Sequence, residues 1–123
     1  MKDLNIILIS KEGDYFKEFY TALNAHHSLK IRCITSGVEA LLAAGTNGVD
    51  VVVAAENVEE GSGLDLIKQV VMKNPFINTA LVSPLPHEAF HEATEGLGIF
   101  MQIAPAPGKD DASKFWELLA KIY

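Results

Sequence analysis

Asp50-Val51-Val52-Val53-Ala54-Ala55-Glu56-Asn57-Val58-Glu59-Glu60-Gly61-Ser62-Gly63-Leu64-Asp65-Leu66 decides how the rest of the chain is read. Its opening, residues 51–55, is a short unbroken apolar run led by β-branched valines, as expected of a strand covered on both faces. The run stops at Glu56-Asn57, a loop with Gly61 and Gly63 follows, and helical spacing starts at Leu64. In open parallel sheets, reacting groups sit just beyond the carboxyl ends of central strands. Residues 55–57 are therefore where chemistry is expected, and position 55 holds an alanine.

Outward from that stretch, the pattern repeats on both sides. Residues 5–10 form a second buried-strand run, followed by a polar turn, Lys11-Glu12-Gly13-Asp14. Phe16, Phe19, Tyr20 and Leu23 recur at helical steps over 15–23, with Asp14 as the expected N-cap and His26 and His27 close behind. Residues 29–35 alternate like an edge strand, with Leu29, Ile31 and Cys33 set against Lys30 and Arg32. Residues 36–44 read as a helix closed by Gly45 and a Thr46-Asn47-Gly48 turn. Beyond the central stretch, residues 64–73 read as a helix stopped by Asn74-Pro75. Residues 78–83 follow as a strand, 86–95 as a helix opened by proline, and 99–103 as a strand. A rigid Pro105-Ala106-Pro107-Gly108 loop precedes a last helix over 113–123, whose apolar side includes Phe115, Trp116, Leu119 and Ile122. Five strands alternating with five helices predict a three-layer α/β sandwich with a parallel, flavodoxin-like sheet of order 2-1-3-4-5. Residues 1–123 read as one domain.

Composition narrows the function. The 123 residues are 49% hydrophobic and 21% charged, as in folded globular domains. A net charge of −6 without a basic cluster argues against nucleic-acid binding by this chain alone. The single cysteine, Cys33, excludes an internal disulfide. The N-terminal residues lack a signal-peptide pattern, and no stretch approaches the ~20 apolar residues of a membrane span. The expectation is a cytoplasmic protein that does not enter a membrane.

The order of these pieces resembles the receiver domain of bacterial two-component response regulators over nearly the whole chain. The carrying fragments are Ile6-Ile7-Leu8-Ile9, Ser36-Gly37-Val38-Glu39-Ala40-Leu41, Val49-Asp50-Val51-Val52-Val53, Gly63-Leu64-Asp65-Leu66-Ile67, Thr79-Ala80-Leu81-Val82-Ser83 and Ala104-Pro105. The resemblance implies phosphoryl transfer to an aspartate ending the third strand. It also implies Mg²⁺ held by an acidic pair after the first strand, a Ser or Thr ending the fourth, and a Lys after the fifth. Such groups neutralise charge on the phosphoryl group in flight. Carried over, the acceptor position falls on Ala55, the acidic pair on Ser10 and Lys11, and the lysine on Ala104. Ser83 alone is retained. A methyl group accepts no phosphoryl group, and Lys11 opposes Mg²⁺, which takes oxygen ligands. Glu56 is no substitute, because strand alternation turns it to the other side. The resemblance is thus to a degenerate pseudo-receiver, with no cofactor and no catalysis of its own. It implies a protein partner or homodimer contact on the face of the fourth helix, fifth strand and fifth helix, around residues 87–95, 100–103 and 110–121.

Three local signals have competing readings. His87-Glu88-Ala89-Phe90-His91 matches the zinc-peptidase pattern His-Glu-x-x-His. A small zinc hydrolase would need a third ligand, and no histidine follows His91; the plainer reading is chance on an exposed helix face. Lys11 and Glu56 end neighbouring strands and read as solvated loop side chains rather than a fixed ion pair. Glu59-Glu60-Gly61-Ser62-Gly63 does not suit a phosphate cradle, because its glutamates oppose an anion. A non-switching structural domain of a longer regulator is the remaining alternative.

Overall fold

The computed structural model describes residues 2–46 and 48–123; Asn47 of the expected 46–48 turn lies outside the described residues. Five strands form the main sheet: β1 (Leu4–Ile9), β2 (Leu29–Ile34), β3 (Val51–Ala54), β6 (Asn78–Val82) and β7 (Ile99–Ile103). They pair in parallel in the spatial order β2-β1-β3-β6-β7, which is the expected 2-1-3-4-5 when only these strands are counted. The two remaining strands, β4 (Asn57–Val58) and β5 (Gly61–Ser62), form a small antiparallel ribbon. That ribbon occupies the segment expected to be plain loop. Its two-residue strands are too short to leave a period-2 signature.

Alternation along the buried strands sorts the core into two layers. Leu4, Ile6, Leu8, Val51, Val53, Ala80 and Val82 meet α1 (Lys17–Leu23) and α5 (Lys109–Ile122), where Phe19, Phe115 and Leu119 are fully buried. Ile7, Ile9, Val52, Ala54 and Leu81 meet α2 (Gly37–Ala44), α3 (Gly63–Lys73) and α4 (His87–Ala93) through Ala40, Ala44, Ile67, Val70 and Phe90. The first layer is aromatic: Phe19 and Phe115 lie edge to face at 5.3 Å. Each such buried ring stabilises the fold by roughly 2–3 kcal/mol through surface removed from water.

Four expectations need correction. Asp14 does not cap α1: Phe16 holds that place with no side-chain cap, while the Asp14 carbonyl closes a turn with the Lys17 amide at 3.0 Å. Tyr15 and Phe16, which fit the helical spacing, instead precede the helix and stack edge to face at 5.1 Å. Helix α5 begins at Lys109 rather than near residue 113. Its polar first turn hid it, although the Gly108 amide donates to the Asp111 carboxylate at 2.9 Å there. Cys33, expected in the inward phase of its strand, is exposed on edge strand β2, and partial desolvation pushes its thiol pKa up.

At the amino end of the sheet, Tyr123 closes the C-terminus of α5 onto β3. Its hydroxyl accepts from Asn78 Nδ2 at 2.6 Å and donates to the Asp50 carbonyl at 3.4 Å. Burial raises the phenol pKa, so the hydroxyl keeps the proton that it donates.

Candidate functional site

The carboxyl ends of β1, β3 and β6 bring together most of the positions that the sequence singles out. The Ala55 amide continues the ladder to the Ile9 carbonyl at 2.8 Å, and the Lys11 amide reaches the Asn57 carbonyl at 2.9 Å. Ser83 follows β6, with its amide on the Ile103 carbonyl at 3.0 Å. Ala104 directly follows β7 and is exposed.

Their side chains divide sharply. Ala55 is 2% exposed and belongs to the aromatic layer under α1 and α5. Glu56 turns the other way and lines a cavity of about 240 Å³ with Leu64, Ser83, Phe90 and Thr94. One residue of strand periodicity therefore separates the methyl group from the neighbouring carboxylate. Lys11 is exposed and forms no ion pair with Glu56; the pairs among the described residues are Lys2–Asp50 at 3.7 Å and Arg32–Glu39 at 3.3 Å.

Both hydroxyls are used by the backbone. Ser10 Oγ accepts the Glu12 amide at 3.3 Å, and Ser83 Oγ accepts the Leu85 amide at 3.2 Å. These are local turns of the kind short hydroxyl side chains favour. Of Ser10, Lys11, Ala55, Glu56, Ser83 and Ala104, only Glu56 carries a carboxylate. That donor set does not fit Mg²⁺, which is held through carboxylates, waters and phosphate oxygens.

Gly63 explains the tight turn above the site. A Cβ there would lie 1.8 Å from the Ala55 carbonyl oxygen, so only glycine lets α3 start so close to the end of β3. The Gly63 amide donates to the Glu56 carbonyl at 2.8 Å, and Ser62 caps α3 by accepting from Asp65 at 3.1 Å.

Sequence reading missed the role of Glu60. Its carboxylate accepts the Gly37 amide at 2.7 Å, the Val38 amide at 3.4 Å and the Ser36 hydroxyl at 3.0 Å. Ser36 is the N-cap of α2 and accepts from the Glu39 amide at 3.2 Å. Thr35 adds a hydroxyl bond to the Glu59 carboxylate at 2.7 Å. The acidic loop thus supplies the anion that the N-terminus of α2 attracts. The Gly37 amide, first among these donors, holds the Glu60 carboxyl below its ordinary value. Nothing local in the sequence pairs residue 60 with residue 37; the contact exists because the ribbon folds back toward α2.

The His87 and His91 rings are 6.4 Å apart on exposed α4, as i, i+4 spacing requires. No group of three or more His, Cys, Asp or Glu able to hold a metal occurs among the described residues. Among the described residues, none supplies the third ligand that the zinc-hydrolase reading needs. No helix among the described residues is long and apolar enough to cross a membrane.

Solved structures share this architecture. The chain is similar to a CheY-like receiver domain protein from Methanospirillum hungatei JF-1, at 12% identity and TM-score 0.80, covering 98% of this chain and 96% of that one. It is similar to the signal receiver domain of an HD domain-containing protein from Pseudomonas fluorescens Pf-5, at 14% identity and TM-score 0.79, covering 98% and 90%. A response regulator from Burkholderia pseudomallei with a phosphorylated aspartic acid and a calcium ion matches at 17% identity and TM-score 0.71, covering 97% and 74%. No family model and no curated protein sequence matches the chain. At these identities the likeness establishes a receiver-type flavodoxin-like fold, and chemistry has to be read from this chain's own residues.

Proposed function

We propose that this chain is a receiver-like signalling module of a two-component or phosphorelay system that acts through protein–protein contact and is not itself phosphorylated. The observation that carries this reading is Ala55: a buried methyl group at the end of the central strand, on a fold where the Burkholderia regulator holds a phosphorylated aspartic acid. Ser10 and Lys11 in place of an acidic pair, and Ala104 in place of a lysine, support it. On this reading residues 1–123 act as one non-enzymatic, cytoplasmic domain without a cofactor and without nucleic-acid contact of its own.

The partner or homodimer face in this proposal is α4–β7–α5. His87, His91, Phe100, Gln102, Lys114 and Leu118 border a cavity of about 320 Å³ there. Gln102 is held to the Ser83 and Leu85 carbonyls at 3.2 and 2.7 Å, which ties that face to the end of β6.

Titration with Mg²⁺, followed through amide shifts at residues 10, 11 and 55, tests the reading. No saturable site is expected, whereas saturation at low millimolar Mg²⁺ contradicts it. Ala55→Asp alone is expected to remain unphosphorylated, because the charge-neutralising groups act as a unit. Ser10→Asp, Lys11→Asp, Ala55→Asp and Ala104→Lys together, on the retained Ser83, are expected to restore partial beryllofluoride and Mg²⁺ binding.

A further inference from the structure

Another cavity lies at the opposite end of the sheet and plays no part in the site above. It has a volume of about 640 Å³ and is bordered by the amino-terminal halves of β1 and β2, the α1–β2 loop and residues 48–49. That size falls in the range of small-molecule sites, roughly 300–1,000 Å³. Its charge is one-sided. Lys30, Arg32, His26 and His27 line it together with Asn5 and Asn24, and none of the described lining residues is acidic, in a chain of net charge −6.

The strand places the two basic side chains, Lys30 and Arg32, together. Lys30 and Arg32 are two residues apart on β2, opposite Asn5 and Ile7 of β1, so both project from the face that carries Ile7. Arg32 also meets Glu39 at 3.3 Å, with both side chains more than half exposed, so that pair offsets only part of its charge. Asp50, the carboxylate next to lining residue Val49, is turned onto the Asn5 amide at 2.8 Å and faces Lys2 at 3.7 Å. The imidazole of His26 stacks on Trp116 at 3.7 Å, on the side of the sheet that α5 covers.

We infer that this cavity is a binding site for a compact organic polyanion, a metabolite carrying phosphate or several carboxylates. Lys30 and Arg32 hold the charge through charge-assisted hydrogen bonds. The imidazoles and the Asn5 and Asn24 amides supply further polar contacts, and aliphatic strand residues border the body of the ligand. The volume exceeds what a bare phosphate fills, so an organic portion adds to affinity.

Calorimetric and amide-shift titrations of the full chain with inorganic phosphate, citrate, adenosine monophosphate and uncharged adenosine test this. Citrate or adenosine monophosphate is expected to saturate with a dissociation constant of about 1 mM or tighter, shifting residues 5–7, 24–32 and 48–49 and perturbing Trp116 fluorescence. Preference for adenosine monophosphate over citrate identifies phosphate as the charged group, and the reverse identifies carboxylates. Lys30→Gln with Arg32→Gln is expected to weaken binding about tenfold or more; both side chains are exposed, and unchanged melting confirms an intact fold. Lys30→Gln alone is expected to give a smaller loss, and Glu39→Gln, which frees Arg32, a severalfold gain. Adenosine binding as tightly as its monophosphate, phosphate binding as tightly as either organic anion, indifference to the double substitution, or no saturation by any probe overturns the inference.

Discussion

At the carboxyl ends of β1 and β3 backbone contacts and local turns leave a cavity of about 240 Å³ beside Glu56, whereas the amino ends of β1 and β2 border one of about 640 Å³. Above β3, Gly63 presses against the Ala55 carbonyl, the Ser10 and Ser83 hydroxyls close local turns, and Glu60 occupies the N-terminus of α2. Below β1 and β2, a cavity of about 640 Å³ presents Lys30, Arg32 and two histidines. The fold sets where strands end, and the side chains at each end decide which end can hold a ligand.

The contrast breaks most visibly at Gly63. Gly63→Val is expected to cost about 3 kcal/mol or more, because the new side chain meets rigid backbone rather than a movable side chain. Denaturant unfolding measures it. Gly13→Ala is the control: nothing lies within 4 Å of its added Cβ, and it is expected to stay within about 0.5 kcal/mol of wild type. An equally small effect at Gly63 would mean that the carboxyl edge is not closed as described.

Ser36→Ala is expected to cost about 1 kcal/mol, since it removes the N-cap of α2 and a donor to Glu60. Thermal melts at neutral pH measure that loss. Glu60 gives a smaller effect with a distinctive pH signature. Its carboxyl titrates below the ordinary 4.5 in the fold. The stability it contributes is therefore complete above 4.5 and lost as pH falls through the depressed folded value. Glu60→Gln is expected to flatten the acid limb of the stability curve below 4.5; an unchanged limb would show that the carboxylate does not hold α2.

Much of this architecture is legible in the sequence because it rests on local patterns. The runs at residues 5–10, 51–55, 78–83 and 99–103 announced strands, and the Gly63-Leu64 junction announced the start of a helix. What was not legible depends on contacts between distant residues or on polar segments. The β4–β5 ribbon has too few residues to show a period, and the first turn of α5 carries Asp110 and Asp111 without an apolar partner until Ala112. Tyr15 and Phe16 fall within the expected helix yet precede it in a turn, although the Phe16 carbonyl accepts the first helical bond from the Tyr20 amide at 2.7 Å. At the candidate site, the identities of Ala55, Ser10 and Lys11 were plain from the chain. The Glu60 contact with Gly37 and the cationic cavity required the fold.

Intact-mass analysis after incubation with acetyl phosphate and Mg²⁺, or with a histidine kinase, tests the central claim most directly. The account predicts that the wild-type mass stays unchanged. A single added phosphoryl group mapping to residues 55–57 would contradict it.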